Sequence, residues 1–153
     1  MAVYVREGLH VVAVDLPSQL EAVGVEIHLP KKRRVCVLAV YRPPSGDLAL
    51  SDFIRTLDST LDNLVHSAKR LLCVVGDFNA KSPNWWSGQS SNDAGVALSA
   101  LMTDLGLSQL VDGPARCVGE SSAAQLDLMF VPTCLWLSQP TFSPLCRTPA
   151  LPC

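Results

Sequence analysis

Seven consecutive apolar residues, Val35-Cys36-Val37-Leu38-Ala39-Val40-Tyr41, end abruptly at Arg42-Pro43-Pro44. A run this short and this rich in β-branched side chains predicts a central strand buried on both faces. Neither proline can donate to a ladder, so the strand stops there. The opposite pattern follows. Leu50, Phe53, Ile54, Leu57, Leu61, Leu64 and Val65 recur at helical spacing and predict an amphipathic helix of about four turns, with Ser51 as its N-cap. Leu71-Leu72-Cys73-Val74-Val75 then predicts a second buried strand, running into Gly76-Asp77-Phe78-Asn79. Strand, helix and strand in this order give an α/β chain.

The flanking segments extend that reading. Residues 9–14 predict a short strand, and residues 23–29 alternate with the period of a strand that buries one face. Pro30-Lys31-Lys32-Arg33-Arg34 makes a charged turn between strands. A loop rich in Pro, Asn, Ser and Gly covers residues 81–92. A helix is expected over residues 93–105, with Ala97, Ala100, Leu101 and Leu105 on one face and Gly106 as its stop. Residues 126–131 predict the last strand. Beyond it, residues 132–153 hold five of the 11 prolines and a single charge, Arg147. No periodicity survives there. The expectation is a domain over residues 1–131 followed by an irregular tail, residues 132–153, with the character of a frame change or misjoined exon.

Composition narrows the function classes. With 153 residues, 48% apolar and 17% charged, the chain has the means to bury a core and is not of the disordered type. Net charge is −2, so no general attraction to nucleic acid follows, and DNA binding must come from a local patch. Lys31 to Arg34 is the only basic cluster; it suits either phosphate contact or a plain solvated turn. None of the six Cys forms a C-x-x-C pair, and His10, His28 and His66 keep no ligand spacing with them. Zinc and a disulfide scaffold are therefore not expected, and a reducing compartment is. The first residues lack the apolar stretch of a signal peptide. The uncharged residues 128–146 contain Pro132, Pro140 and Pro144, which argues against a membrane span. An intracellular, and for a DNA-acting protein nuclear, location is expected.

The densest chemical signal is Gly76-Asp77-Phe78-Asn79 after a buried strand. Alternation would send Asp77 and Asn79 to the same side and Phe78 into the core. The Asp77 carboxylate could then orient or deprotonate a water, and the Asn79 amide could donate to a phosphate oxygen. An ordinary Asx-type turn explains the same residues.

Context adds a resemblance. Tyr41-Arg42-Pro43-Pro44 and Gly76-Asp77-Phe78-Asn79-Ala80-Lys81-Ser82-Pro83-Asn84-Trp85 are joined, in order, by Asn92-Asp93-Ala94-Gly95, Gly106-Leu107, Arg116 and Leu126-Asp127. Over residues 2–131 this set resembles the endonuclease/exonuclease/phosphatase superfamily. Within it, the apurinic-type endonuclease domain of non-LTR (LINE-like) retrotransposons is most similar. The resemblance implies part of a two-sheet α/β sandwich with outer helices. It implies a Mg²⁺-dependent phosphodiesterase that nicks DNA, associated with a reverse transcriptase domain. By position, Tyr41 would contact the scissile phosphate or the metal site, Asp77 would orient water, Asn79 would bind the phosphate, and Asp127 would buttress the catalytic histidine. Lys81, Trp85 and Arg116 become candidate nucleic-acid contacts, and Trp86 lies beside them.

The departures matter equally. The family pattern opens with a strand ending in Asn and a second supplying the Glu that binds Mg²⁺; this sequence joins the pattern at its third strand. None of Glu7, Glu21, Glu26 or Glu120 stands in a matching motif, and no histidine follows His66. Ser82 stands where the family often has His. The expectation is a truncated relic, with half a site and no turnover. Two other readings stay open: a phosphoesterase of the same superfamily acting on a lipid or inositol phosphate, and a non-catalytic binding fragment.

Overall fold

The computed structural model describes residues 1–45, 48–66, 70–85, 90–111, 116–117, 123–124 and 127–133. Eight strands and two helices follow in order. They are β1 (His10–Val14), β2 (Glu21–Leu29), β3 (Arg33–Tyr41), α1 (Leu50–His66), β4 (Arg70–Asp77), α2 (Asp93–Asp104), β5 (Leu107–Gln109), β6 (Arg116–Cys117), β7 (Ala123–Ala124) and β8 (Asp127–Pro132). Six strands form one mixed sheet in the order β1-β2-β3-β4-β8-β5, and β6 pairs with β7 separately. The α/β class is as expected from the sequence.

The centre of the sheet is the parallel pair β3 and β4, joined by α1, with Val40 beside Gly76 and Tyr41 beside Asp77. β1 and β2 add on one side and β8 on the other, all antiparallel. One face of this sheet is the core. Cys36, Leu38, Val40, Leu72, Val74, Leu128 and Phe130 pack there against Phe53, Leu57, Leu61 and Leu64 of α1 and Leu98, Leu101 and Met102 of α2. The opposite face is apolar too: Val25, Val35, Val37, Leu71, Val75 and Met129 are each half-buried. Both helices lie on the other side. Two-sided apolarity is what the strand runs predict; of the two layers it calls for, the described residues supply the helical one.

Boundaries differ from the sequence reading in instructive ways. Ser51 lies inside α1, because the amide of Phe53 already donates to the Ala49 carbonyl at 2.9 Å; the helix starts one residue before the Ser that suggested a cap. In α2 the buried side chains are Ala94, Leu98, Ser99, Leu101 and Met102, whereas Ala100 is exposed and Ala97 half-buried. The alanines misled because a small side chain shows little preference for either face. β4 continues through Gly76 and Asp77, so Asp77 is the last residue of its strand. Pro132 belongs to β8, paired with Leu107; the rest of the tail, residues 134–153, lies outside the described residues.

Far from Asp77, at the other end of β2, β3 and β4, a polar cluster enters the helix-covered face. The Glu26 carboxylate receives Arg70 at 2.9 Å, His28 at 2.9 Å and Arg34 at 3.2 Å. Burial opposes its ionisation, but hydrogen bonds from Arg70, His28 and Arg34 outweigh that and hold the carboxyl below its ordinary value of 4.5. Cys36 and Cys73 are buried, and burial pushes both thiols up; they are packing residues, as their strand runs suggest.

Two measurements check this architecture. Leu38→Ala is expected to cost about 2–4 kcal/mol by opening a cavity in the helix-covered core. Val37→Lys, one residue along on the other face, should cost less than about 1 kcal/mol and increase the soluble yield, because it charges an apolar patch. Equal costs in urea titrations would show that both faces are sealed. For Glu26, a depressed folded value means that its contribution is full above the unfolded value of 4.5 and fades as pH falls through the folded one. Stability should therefore drop between neutral pH and about pH 3 more steeply in the wild-type chain than in Glu26→Gln. At neutral pH that variant should already be weaker by about 1–3 kcal/mol, since it strands charged donors.

Candidate active site

The end of the sheet formed by the C-termini of β3 and β4 gathers the polar residues of interest. Tyr41 is the register partner of Asp77, and Asp77 that of Asp127. Register partners share a face, so Tyr41, Asp77 and Asp127 form one row across three strands, on the side away from the helices. Glu21 extends the row as the partner of Tyr41. Tyr41 and Asp77 are half-buried, and Asp127 is exposed. Like charges directly opposite each other on an antiparallel pair are unfavourable. Asp77 facing Asp127 is such a pair.

Three hydrogen bonds close the gap between the strand ends. The amide of Arg42 donates to the Asp77 carbonyl at 2.9 Å, continuing the parallel ladder by one rung. Arg42 Nη1 donates to the Phe78 carbonyl at 3.3 Å. Asn79 Nδ2 donates to the Arg42 carbonyl at 2.8 Å. Phe78 points into the core and is fully buried, as alternation predicts. Asn79 is not on the strand, however. Its φ of 46° is left-handed, and its amide donates to Asp77 Oδ1 at 3.1 Å. Asp77 and Asn79 therefore converge through an Asx turn, and strand alternation is not the cause.

Asn92 is the residue that sequence reasoning missed. As the N-cap of α2 it accepts from the Gly95 amide at 2.8 Å. The same Oδ1 accepts from the Lys81 amide at 2.9 Å, and Nδ2 donates to the Asn79 carbonyl at 3.2 Å. One side chain thus ties the turn after β4 to the start of α2. Two glycines permit the approach. A Cβ on Gly95 would overlap the Lys81 carbonyl, and one on Gly76, at φ +153°, would overlap the Val40 carbonyl. An Asn directly ahead of Asp-Ala-Gly was a legible capping signal; its reach back to Asn79 was not.

The other candidates fall differently. Lys81 enters this clamp through its backbone. Trp85 is half-buried, packed against the core and edge-on to Phe130 at 5.8 Å. Ser82 is buried, with its Oγ accepting from the Asn84 amide at 3.2 Å. Trp86 and the Arg116 side chain lie outside the described residues. For Mg²⁺ the donor set does not fit. Glu21, Asp77 and Asp127 lie in a row across β2, β4 and β8, with Tyr41 of β3 between Glu21 and Asp77, so the three carboxylates do not face one point. Among the described residues, no three His, Cys, Asp or Glu side chains could hold a metal.

A mixed six-stranded sheet flanked by helices is consistent with the endonuclease/exonuclease/phosphatase fold expected from the sequence. The sequence model of the endonuclease-reverse transcriptase family matches residues 35–141, and the chain belongs to that family. Solved structures agree on the fold. The endonuclease domain of TRAS1, a telomere-specific non-LTR retrotransposon, superposes with a TM-score of 0.56 at 20% identity, covering 82% of this chain and 65% of that one. A mannosyl-6-phosphatase from Bacteroides thetaiotaomicron gives 0.52 at 11% identity, covering 72% and 42%. TDP2 from D. rerio, complexed with a single-strand DNA product, gives 0.50 at 9% identity, covering 81% and 52%. The chain spans less than two thirds of each. No curated protein matches it in sequence. No helix among the described residues is long and apolar enough to cross a membrane.

The clamp makes a prediction. Asn92→Ala removes the cap and both ties, and should destabilise the chain by about 1–2 kcal/mol. Asn92→Asp keeps the acceptor and should lose less. Equal losses in thermal melts would show that the cap and the Lys81 tie contribute nothing and that the donor to Asn79 carries the whole effect.

Proposed function

We propose that this chain is the central and C-terminal part of a DNA-nicking endonuclease domain of the retrotransposon kind, working with a reverse transcriptase domain. The row Tyr41, Asp77 and Asp127 supports this reading, because three separate strands bring into one row the residues on which the sequence resemblance rests. In this role Asp77 orients the attacking water and Tyr41 contacts the phosphate. Asn79, its amide pointed at the Arg42 carbonyl, stabilises the charge on the phosphate once that bond is exchanged. Asp127 supports a histidine that the 153 residues do not supply after His66. The family's use of Mg²⁺ belongs to the proposal as well, with its carboxylate ligand coming from residues other than those in the row.

Alone, the chain should not turn over. Losing one preorganised electrostatic contact costs about 10²–10³ in rate, and these 153 residues hold no match to the pattern's strand-end Asn, its metal Glu or its catalytic histidine. The test is relaxation of supercoiled plasmid with Mg²⁺. No nicking is expected from the purified chain. A chimera supplied with the missing segments from a retrotransposon endonuclease should nick, and Asp77→Ala in that chimera should remove at least about 10²-fold of the activity. Nicking by the unmodified chain that vanishes in Asp77→Ala would show a working enzyme. Nicking by the chimera that ignores Asp77→Ala would end the assignment of this site.

A further inference from the structure

The charges of the sheet are segregated. Glu21, Asp77 and Asp127 occupy one row at one end. Lys31, Lys32, Arg33, Arg34 and Arg70 gather at the other, about 26 Å away along β3. Within that group the Glu26 carboxylate is already engaged by Arg34, Arg70 and His28. At the tip, Lys31 and Lys32 are exposed and make no ion pair among the described residues.

The turn itself sharpens the point. Lys31 and Lys32 have φ of 62° and 57°, the left-handed pair of a tight hairpin, where Asn and Gly are the favoured residues. Lysine is a poor choice for that backbone, so turn chemistry does not account for these side chains. In a chain of net charge −2, Lys31, Lys32 and Arg33 at the tip, with Arg34 and Arg70 behind them around Glu26, make a local anion-attracting field that the overall balance conceals.

We propose that the β2–β3 tip, with Lys31, Lys32 and Arg33 in front and Arg34 behind, grips the phosphate backbone of a nucleic-acid duplex at the pole opposite Asp77. The contact needs neither metal nor base sequence. It rests on the endonuclease reading only in the choice of nucleic acid among polyanions. Its physical role is retention: the acidic row repels a phosphate backbone, so a grip at the far pole keeps the chain on the polymer.

The experiment is fluorescence anisotropy of the full chain with a labelled duplex of roughly 20 base pairs in EDTA, between about 50 and 200 mM salt. EDTA separates this test from the nicking assay, since binding here proceeds without chemistry. Lys31→Asn combined with Lys32→Gly removes two charges and gives the turn its preferred residues, so the tip stays folded; a thermal melt no lower than wild type verifies that. The slope of log K against log salt should become shallower by about 1.8, at 0.9 per lost phosphate contact. Affinity near 0.1 M salt should fall by more than about tenfold. Arg55→Ala, an exposed charge on α1 paired with Asp52, should leave the slope unchanged. An unchanged slope in the hairpin variant, an Arg55→Ala effect of equal size, or no duplex binding by the wild type would each overturn the proposal. So would tighter binding to anionic lipid vesicles or to poly-glutamate than to the duplex.

Discussion

Everything that can be called a site in this protein depends on the parallel pairing of β3 with β4. Parallel neighbours present their carboxyl ends together, and here that places Tyr41 beside Asp77 with no loop between them. The pairing extends past the strands through the Arg42 amide and the Asp77 carbonyl at 2.9 Å. It is as close as it is because Gly76 lets the Val40 carbonyl pass where a side chain would stand. β8 then docks against the free edge of β4 and brings Asp127 into the same row. The helices contribute indirectly: α1 makes the crossover that parallel pairing requires, and the cap of α2 fixes the turn that follows Asp77.

Much of this was legible in the residues. The apolar runs of β3 and β4 are too uniform to be anything but buried strands, and the stripe of α1 recurs too regularly to be anything but a helix. Asp77 and the burial of Phe78 followed from position alone. What escaped did so for physical reasons. Asn79 was expected to share a face with Asp77 by alternation; the chain instead leaves the strand after Asp77 and turns left-handed, a choice made by hydrogen bonds to Asp77 and Arg42 that no local pattern records. β5, at three residues, is shorter than any period that could announce it. On the inward face of α2 the leucines were read correctly and Ala100 was not, because alanine fits either side; Leu98, Leu101 and Met102 in the core set which way the helix turns. Asn92 could be read as a cap; its tie to Asn79 joins residues 13 positions apart and is visible only in three dimensions.

The mixed sheet also explains the uneven distribution of polar groups. Among the described residues its helix-covered face admits one carboxylate, Glu26, and only with two guanidinium groups and the His28 ring hydrogen-bonded to it. Its other face is apolar along most of the strands and becomes acidic only at the last rung. Polarity is confined to the two ends, and the length between them is packing surface.

One rung carries a different kind of information. Asp77 and Asp127 face each other directly, and their mutual repulsion works against the strand pair they belong to. An amide in place of either carboxylate would relieve it at almost no change in shape. For folding, then, the pair is a burden with an easy remedy one substitution away. Neutral drift in a chain kept only for its shape would run toward that remedy.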